Sequence, residues 1–278
     1  MPRANEKIFN VPKVVMGLVG VLVLIQAVCD LVSPESQLNI IRRFAFVPGR
    51  FTFAFDPDRV SAAYNAIAQT DETSAQIGRF FLGDGEPQWW TPLTYAFLHG
   101  GWAHVGLNCL WLVAFGSAVA RRFGTARFLV FCAISAVAGA FMHFLTHMSD
   151  LQPVIGASAV VSAAMAAVVR FAFQPGAPLG AALGFGDRSG GDHVYRQPAL
   201  PLREVFSNRS AIGFLGFWFL ANFLFGVFPS AAGIAGASIA WEAHIGGFLL
   251  GFLAFRWFDP PSHFVERDQK PGSPITRI

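Results

Sequence analysis

This sequence of 278 residues is poor in charge: only 13% of its residues are Asp, Glu, Lys or Arg, whereas 54% are hydrophobic. A soluble domain normally carries about 25% charged residues, so the composition argues against a soluble protein and favours a polytopic membrane protein. The net charge of +3 comes from basic residues spread over the loops. Without a basic patch, we expect no nucleic-acid partner.

Cysteine is scarce as well. The three residues, Cys29, Cys109 and Cys132, fall within apolar segments, and their spacing matches no metal motif. We interpret them as small core residues rather than as metal ligands or redox groups.

Long apolar runs are plentiful instead. A membrane-spanning helix needs about 20 mostly apolar residues, and the segments that meet this condition predict an all-α bundle of six transmembrane helices. They are approximately residues 14–32, 93–118, 127–148, 153–173, 211–229 and 236–258. The first run is too long for the apolar part of a signal peptide and has no A-x-A cleavage motif, so we expect it to be retained. The second is expected to be interrupted at Gly100-Gly101 and to restart at Trp102.

The loops predict how the chain is organised and oriented. Lys and Arg are concentrated in the amino terminus, after the second and fourth helices, and in the tail, which predicts that both termini are cytoplasmic. We therefore expect a cytoplasmic segment 1–13, a single membrane domain 14–258 and a disordered cytoplasmic tail 259–278. The long loop 33–92 is also basic, and its Phe and Trp residues predict contact with the outer membrane interface.

Three helices carry polar groups near the end that this topology places outside. His104 and Asn108 follow Trp102, Ser158 is expected about five residues into the fourth helix, and His244 about eight residues into the sixth. At roughly 1.5 Å per residue, each lies roughly 3–12 Å below the surface. Polar groups at membrane depth are costly and usually functional.

These residue types fit acyl transfer. Serine needs an adjacent base to act as a nucleophile, and His244 is the candidate base for Ser158. His104 and Asn108 lie on one helix face and can donate to an oxyanion, with the Ser158 N–H as a third donor. Gly156 allows close approach of backbone or substrate.

The helices that carry Ser158 and His244 must pack closely for this chemistry. Gly247 and Gly251 form a GxxxG pattern on the His244 face, and small residues surround Ser158, which favours such packing. Each element taken alone is more often structural, since Ser commonly bonds to its own helix and GxxxG is a general packing motif. The residues alone leave both interpretations open.

The motifs in combination resemble the rhomboid intramembrane serine proteases. They are His-Gly-Gly-Trp-Ala-His-Val-Gly-Leu-Asn at 99–108, Gly-Ala-Ser-Ala at 156–159, and Ala-His-Ile-Gly-Gly-Phe-Leu-Leu-Gly at 243–251. The resemblance covers about residues 85–258. It implies an intramembrane endopeptidase, active without metal or cofactor, that cleaves transmembrane protein substrates within the lipid bilayer.

The resemblance also implies residue roles. Ser158 would be the nucleophile and His244 the base of a dyad that lacks a carboxylate. His104 and Asn108 would bind the oxyanion, with Gly156 in the same motif, and His99 would be structural. A compact six-helix plan implies a bacterial cytoplasmic membrane. The sequence carries no indication of the oligomeric state, the substrate's identity or the cleavage position.

The chain departs from the family pattern at three places. Trp90-Thr91 stands where the family often has Trp-Arg, Ala120 replaces a Glu between Gly116 and Gly124, and Ser162 stands where many members have a Tyr beside the catalytic His. The last departure leaves the orientation of His244 to another aromatic residue, such as Trp218 or Trp241.

Two rival functions and one possible metal site remain to be weighed. One rival is a proteolytically silent rhomboid-like protein that binds membrane helices. The other is a transporter. The lack of inverted repeats and of acidic residues at mid-membrane argues against a transporter.

His143 and His147 have a metal-like spacing, but with no acid between them we expect no zinc site. The Phe-rich fifth helix is the candidate substrate gate.

Overall fold

The computed structural model describes residues 11–173, 195, 198–227 and 240–260. Within these ranges the fold is all-α, and its only strand-like pairing is one isolated antiparallel bridge between Phe46 and Val154. The helices that position the site are, in chain order, α1 (Lys13–Leu31), α2 (Pro34–Phe44), α3 (Pro48–Phe53), α4 (Pro57–Thr70), α5 (Glu72–Leu82), α6 (Thr91–Thr94), α7 (Trp102–Phe123), α8 (Thr125–Thr146), α9 (Ser158–Val169), α10 (Leu202–Val205), α11 (Arg209–Val227), α12 (Trp241–Leu253) and α13 (Phe255–Phe258).

Three of these helices, α1, α7 and α8, are long and apolar enough to cross a membrane. Two further apolar helices are shorter over their described residues, Ser158–Val169 and Arg209–Leu224. The predicted all-α membrane architecture is thus supported, whereas the count of six spans stays a prediction. The expected interruption before Trp102 is confirmed, because α7 begins there after Gly101, whose φ is 149°. The predicted tail 259–278 lies outside the described residues beyond position 260.

Two predicted helix starts are wrong, and both corrections matter for the site. The fourth helix begins at Ser158 rather than near residue 153, because Val154 pairs with Phe46 and Gly156 has a φ of 122°. The sixth begins at Trp241 rather than near residue 236. Ser158 is therefore the first residue of its helix instead of the fifth, and His244 is the fourth residue of its helix instead of the eighth.

The long connection 33–92 is folded into helices α2 to α5 and docks on the turn between α8 and α9. The Gly49 N–H donates to the Asp150 carbonyl at 2.8 Å, and the Thr52 hydroxyl donates to the Met148 carbonyl at 2.5 Å. The buried Arg50 side chain donates from Nε to the Phe81 carbonyl at 2.7 Å. This segment thus fixes the turn that precedes Ser158. Its contact with the membrane interface stays a prediction.

The predicted glycine seam on α12 is present. A Cβ on Gly247 would collide with the Ala159 carbonyl oxygen, and one on Gly251 would collide with that of Ala163. Both pairs are offset by four residues in the same direction, so α9 and α12 run parallel with their backbones in contact. On the other side of α12, Gly246 faces the Ala138 carbonyl of α8 in the same way.

The end of the bundle opposite Ser158 is held together by two buried arginines. Arg122 contacts Asp259 through two N–O pairs at 2.7 and 2.8 Å and donates to the Tyr195 carbonyl at 2.8 Å. Arg170 donates to the Phe252 carbonyl at 2.8 Å. Bidentate arginine–carboxylate pairs are strong and geometrically specific. The contacts of Arg122 and Arg170 therefore fix the carboxyl end of α12. The amino end of α12 carries the polar site.

Candidate active site

Ser158 stands at the amino end of α9, half-buried, directly after an extended segment. The first N–H groups of a helix have no partner within that helix. The backbone N–H of Ser158 is one of these groups, which makes it a donor for an anion at this position. The late start of α9 therefore strengthens the predicted role of this N–H.

Gly156 brings Ser158 and His104 to the same small space. A Cβ built on Gly156 would lie 2.9 Å from Cε1 and Nε2 of His104 and 3.8 Å from Oγ of Ser158. The backbone φ of Gly156 is 122°, a value that residues with a Cβ rarely adopt. Glycine is required here both for the backbone turn and for the room between the two side chains.

The hydrogen bonds of His104 indicate which of its nitrogens carries the proton. Its Nδ1 accepts a hydrogen bond from the Gly100 N–H at 3.3 Å. A neutral imidazole with an accepting Nδ1 carries its hydrogen on Nε2. The N–H of Nε2 therefore faces the space beside Gly156 and Ser158, where it can donate to a developing negative charge.

His99 supports the loop that precedes the serine. Its Nε2 accepts from the Ala157 N–H at 3.3 Å, and its ring packs edge-on against His104 with centroids 4.9 Å apart. The residue is buried. These contacts agree with the structural role predicted for His99.

Asn108 lies one turn after His104 on α7 and is buried. Its side-chain amide donates one hydrogen bond to the His104 carbonyl at 3.1 Å. The amide group has a second N–H, so one donor remains for a ligand. The structure thus places Asn108 beside His104 as predicted, with half of its donor capacity used within its own helix.

His244 is held by a residue that the sequence did not single out. Its Nδ1 lies 2.7 Å from Oδ1 of Asn222, on α11. The Asn222 amide N–H group donates to the Trp218 carbonyl at 2.9 Å, which assigns Oδ1 as the acceptor. Nδ1 of His244 must then be the donor, so Nε2 has the free lone pair that a general base needs.

The suggestion that Trp218 or Trp241 orients His244 is corrected by these contacts. The Trp218 ring stacks on Phe248 with centroids 4.1 Å apart, and Trp241 is exposed. One signal in the sequence points to Asn222: a lone amide side chain within a Phe-rich membrane helix needs a partner on another helix.

Ser158 and His244 lie on helices that are in contact, but no hydrogen bond joins the two side chains in the described part of the chain. His244 is hydrogen-bonded to Asn222 instead. Ala159, which follows Ser158, is in backbone contact with Gly247, less than one turn after His244. The two helices therefore meet at the level of these two side chains.

Comparison with known proteins agrees with the motifs. A family model described as "Rhomboid domain" matches residues 86–185 and 194–258. The chain is 26% identical over 170 residues to the Rhomboid protease GlpG of Yersinia pestis, covering 61% of this chain and 48% of that protein. It is 33% identical over 87 residues to the Rhomboid protease GluP of Bacillus subtilis, covering 31% of this chain and 17% of that protein.

A plant protein is also similar. RHOMBOID-like protein 9, chloroplastic, of Arabidopsis thaliana is 39% identical over 69 residues, which are 25% of this chain and 15% of that protein. The aligned region thus spans less than half the length of these relatives. Because the family model covers more than half of the 278 residues and three helices can cross a membrane, this chain is an integral membrane protein that belongs to the rhomboid family.

Proposed function

We propose that the protein is an intramembrane serine endopeptidase that hydrolyses peptide bonds in or near the transmembrane segments of membrane-protein substrates. The observation that carries this proposal is that the hydrogen-bond partners of two histidines near one serine assign them different tautomers. His104 presents an N–H beside Ser158, whereas His244 keeps a bare Nε2. A serine hydrolase needs a donor for the oxyanion and an acceptor for the serine proton. That two of the similar proteins are named rhomboid proteases supports the same function.

In this mechanism Oγ of Ser158 attacks the substrate carbonyl carbon and its proton passes to Nε2 of His244. The imidazolium then protonates the leaving amine, and a water molecule hydrolyses the acyl-enzyme with His244 again as the base. Asn222 accepts from Nδ1–H throughout. It takes the orienting place that a carboxylate holds in a Ser-His-Asp triad, but it adds no charge.

The oxyanion of the tetrahedral intermediate receives hydrogen bonds from Nε2–H of His104, the backbone N–H of Ser158 and the second amide N–H of Asn108. Gly156 leaves the space in which that oxygen sits. The Ser158–His244 hydrogen bond forms when substrate is bound, because catalytic hydrogen bonds in free enzymes are often long and shorten in the complex.

The cellular setting is part of the proposal. Six spans with both termini in the cytoplasm place the amino ends of α7, α9 and α12 at the outer face. Such a protein belongs in a bacterial cytoplasmic membrane, and its substrates are other membrane proteins. The arginines at the opposite end of the bundle, Arg122 and Arg170, fit a cytoplasmic position.

The test is labelling of the purified protein with a fluorophosphonate, which modifies activated serines. Wild-type protein and Ser162→Ala should be labelled, and Ser158→Ala should not. Ser162 is a matched control because it is buried on the same helix, one turn further on. Ser158→Ala and His244→Ala should each abolish cleavage of a transmembrane reporter in liposomes. Folded wild-type protein that neither reacts nor cleaves would favour a proteolytically silent rhomboid-like binder of membrane helices.

A further inference from the structure

A second group of polar side chains lies at the same end of the bundle, between α8 and α12. His143 is on the last turn of α8, His147 directly follows that helix, and Glu242 is on the first turn of α12. One ligand atom from each of the three lies within 4.8 Å of the others. The acid that is missing between the two histidines in sequence is supplied by a helix 95 positions further along the chain.

The distances approach those of a coordination site. Nδ1 of His143 lies 3.5 Å from one carboxylate oxygen of Glu242, and Nε2 of His147 lies 3.8 Å from the other. Zinc–ligand bonds of about 2.0–2.2 Å in a tetrahedron separate donor atoms by roughly 3.4 Å. The two imidazole rings are already parallel, with centroids 4.7 Å apart and planes at 8°. The three ligand atoms lie within 4.8 Å of one another, so side-chain rotations that bring them about 1 Å closer would complete the tetrahedral spacing.

His143 gives an independent indication that something binds here. Its side chain is only 6% exposed, yet neither ring nitrogen has a hydrogen-bond partner. A buried polar group without a partner is costly and calls for an explanation. The Glu242 carboxylate, 3.5 Å from Nδ1, makes no hydrogen bond to it, and a metal ion between the two groups would bind both.

We propose that His143, His147 and Glu242 bind one divalent transition-metal ion of the Zn²⁺ class at the outer end of the bundle. Two imidazoles and a carboxylate suit zinc rather than magnesium or calcium, which take oxygen ligands. Water or a fourth group completes the tetrahedron.

The surroundings provide a second shell and an entry route. Nε2 of His143, the nitrogen that does not face Glu242, lies 4.0 Å from the Asp150 carboxylate. Metal-binding histidines usually direct their other ring nitrogen to a carboxylate, which fixes the tautomer. Asp150 is itself held, because its backbone carbonyl accepts from Gly49 and its carboxylate accepts from the Gln152 N–H. The His147 side chain is 41% exposed, so an ion can reach the site from solvent.

The site joins two helices next to the proposed catalytic base. Glu242 is two residues before His244, and the two side chains contact different helices: Glu242 contacts α8 and His244 contacts α11. A metal ion would therefore fasten the amino end of α12 to α8. This departs from our expectation of no metal, which rested on the local sequence around His143 and His147.

The experiment measures zinc binding alone and does not use proteolysis, so its result is independent of the proposed function. Full-length protein without a histidine tag is purified in detergent, treated with a chelator, dialysed against buffered Zn²⁺ and analysed for metal. We expect one zinc per chain. His147→Ala and Glu242→Gln should each weaken binding at least about 10-fold, and Asp150→Asn should weaken it by about 10- to 100-fold.

Matched controls are His263→Ala, outside the described residues, and Glu204→Gln, whose side chain is 51% exposed near the opposite end of the bundle. Both should bind zinc as the wild-type protein does. Replacing zinc with Co²⁺ should give visible absorption bands of tetrahedral cobalt that disappear in His147→Ala. Two results would overturn the proposal. One is the absence of stoichiometric zinc in the wild-type protein, and the other is zinc binding by His147→Ala and Glu242→Gln as tight as that of the wild type.

Discussion

Asn222 on α11 holds the imidazole of His244 on α12 through a 2.7 Å hydrogen bond between Oδ1 and Nδ1. This bond crosses from the helix that the sequence suggested as the substrate gate to the helix that carries the proposed base. Trp218, one turn earlier on α11, stacks on Phe248 of α12 beside it. A movement of α11 that admits substrate would therefore also disturb the base unless the bond survives.

The first prediction is that Asn222 positions the base. Asn222→Leu should lower kcat while KM changes little, because His244 loses the partner that fixes its tautomer. The loss should be about 10- to 100-fold, less than the 10²–10⁴ that a general base contributes as a whole. Turnover of a transmembrane reporter in liposomes, compared at several substrate concentrations, measures both constants.

Asn222→Asp is the conservative control. A carboxylate keeps the acceptor at Oδ1, so this variant should recover most of the activity lost in Asn222→Leu. If both variants keep the wild-type kcat, Asn222 is only an interhelical contact.

The sequence was sufficient for the part of the site that is local. His104 and Asn108 share one face of one helix, and Gly156 and Ser158 are two positions apart, so residue types and spacing predict that each pair lies together. The glycine seam was predictable for the same reason, since Gly247 and Gly251 repeat at a helical interval. These positions depend on contacts within a few residues or on a simple periodicity.

The parts that the sequence did not reveal depend on long-range contacts. The start of α9 is set by the pairing of Val154 with Phe46, more than 100 positions away. The partner of His244 and the acid beside His143 both come from other helices. Only the packing of α8, α11 and α12 determines which polar side chains meet.

The second prediction separates the two oxyanion donors on α7. His104→Ala should reduce turnover more than Asn108→Ala. The Nε2–H group of His104 faces the space beside Ser158, whereas one amide N–H of Asn108 already donates to the His104 carbonyl. Losing one oxyanion donor typically costs about 10²–10³ in kcat, and we expect His104→Ala at the upper end. Equal losses, or a larger loss for Asn108→Ala, would assign the main donor to Asn108.

The third prediction concerns the contact between α9 and α12. Gly247→Ala and Gly251→Ala should each destabilise the protein by about 1–3 kcal/mol, because the added Cβ meets the backbone of Ala159 or Ala163 rather than a side chain that can move. Both should also lose activity, because α12 carries His244. Thermal unfolding in detergent and reporter cleavage test the two effects.

A matched control for the glycine seam is Gly213→Ala. Gly213 is also helical, but a Cβ there meets nothing within 4 Å. Alanine should therefore be neutral or stabilising by up to about 1 kcal/mol, following its higher helix propensity. If Gly247→Ala behaves like Gly213→Ala, the α9–α12 contact is looser than the structure shows.

The last prediction uses two glycines with left-handed backbones to separate strain from collision. Gly156 has a φ of 122° and Gly124 a φ of 77°, but a Cβ meets the His104 ring only at Gly156, whereas at Gly124 nothing lies within 4 Å. Each alanine variant should lose stability through backbone strain, about 1–3 kcal/mol. Only Gly156→Ala should also lose turnover and fluorophosphonate labelling of Ser158, because its methyl group occupies the space between His104 and Ser158. The ratio of turnover to the folded fraction, measured for both variants at one temperature, distinguishes the effects. Normal turnover per folded molecule in Gly156→Ala would show that the oxyanion does not sit in that space.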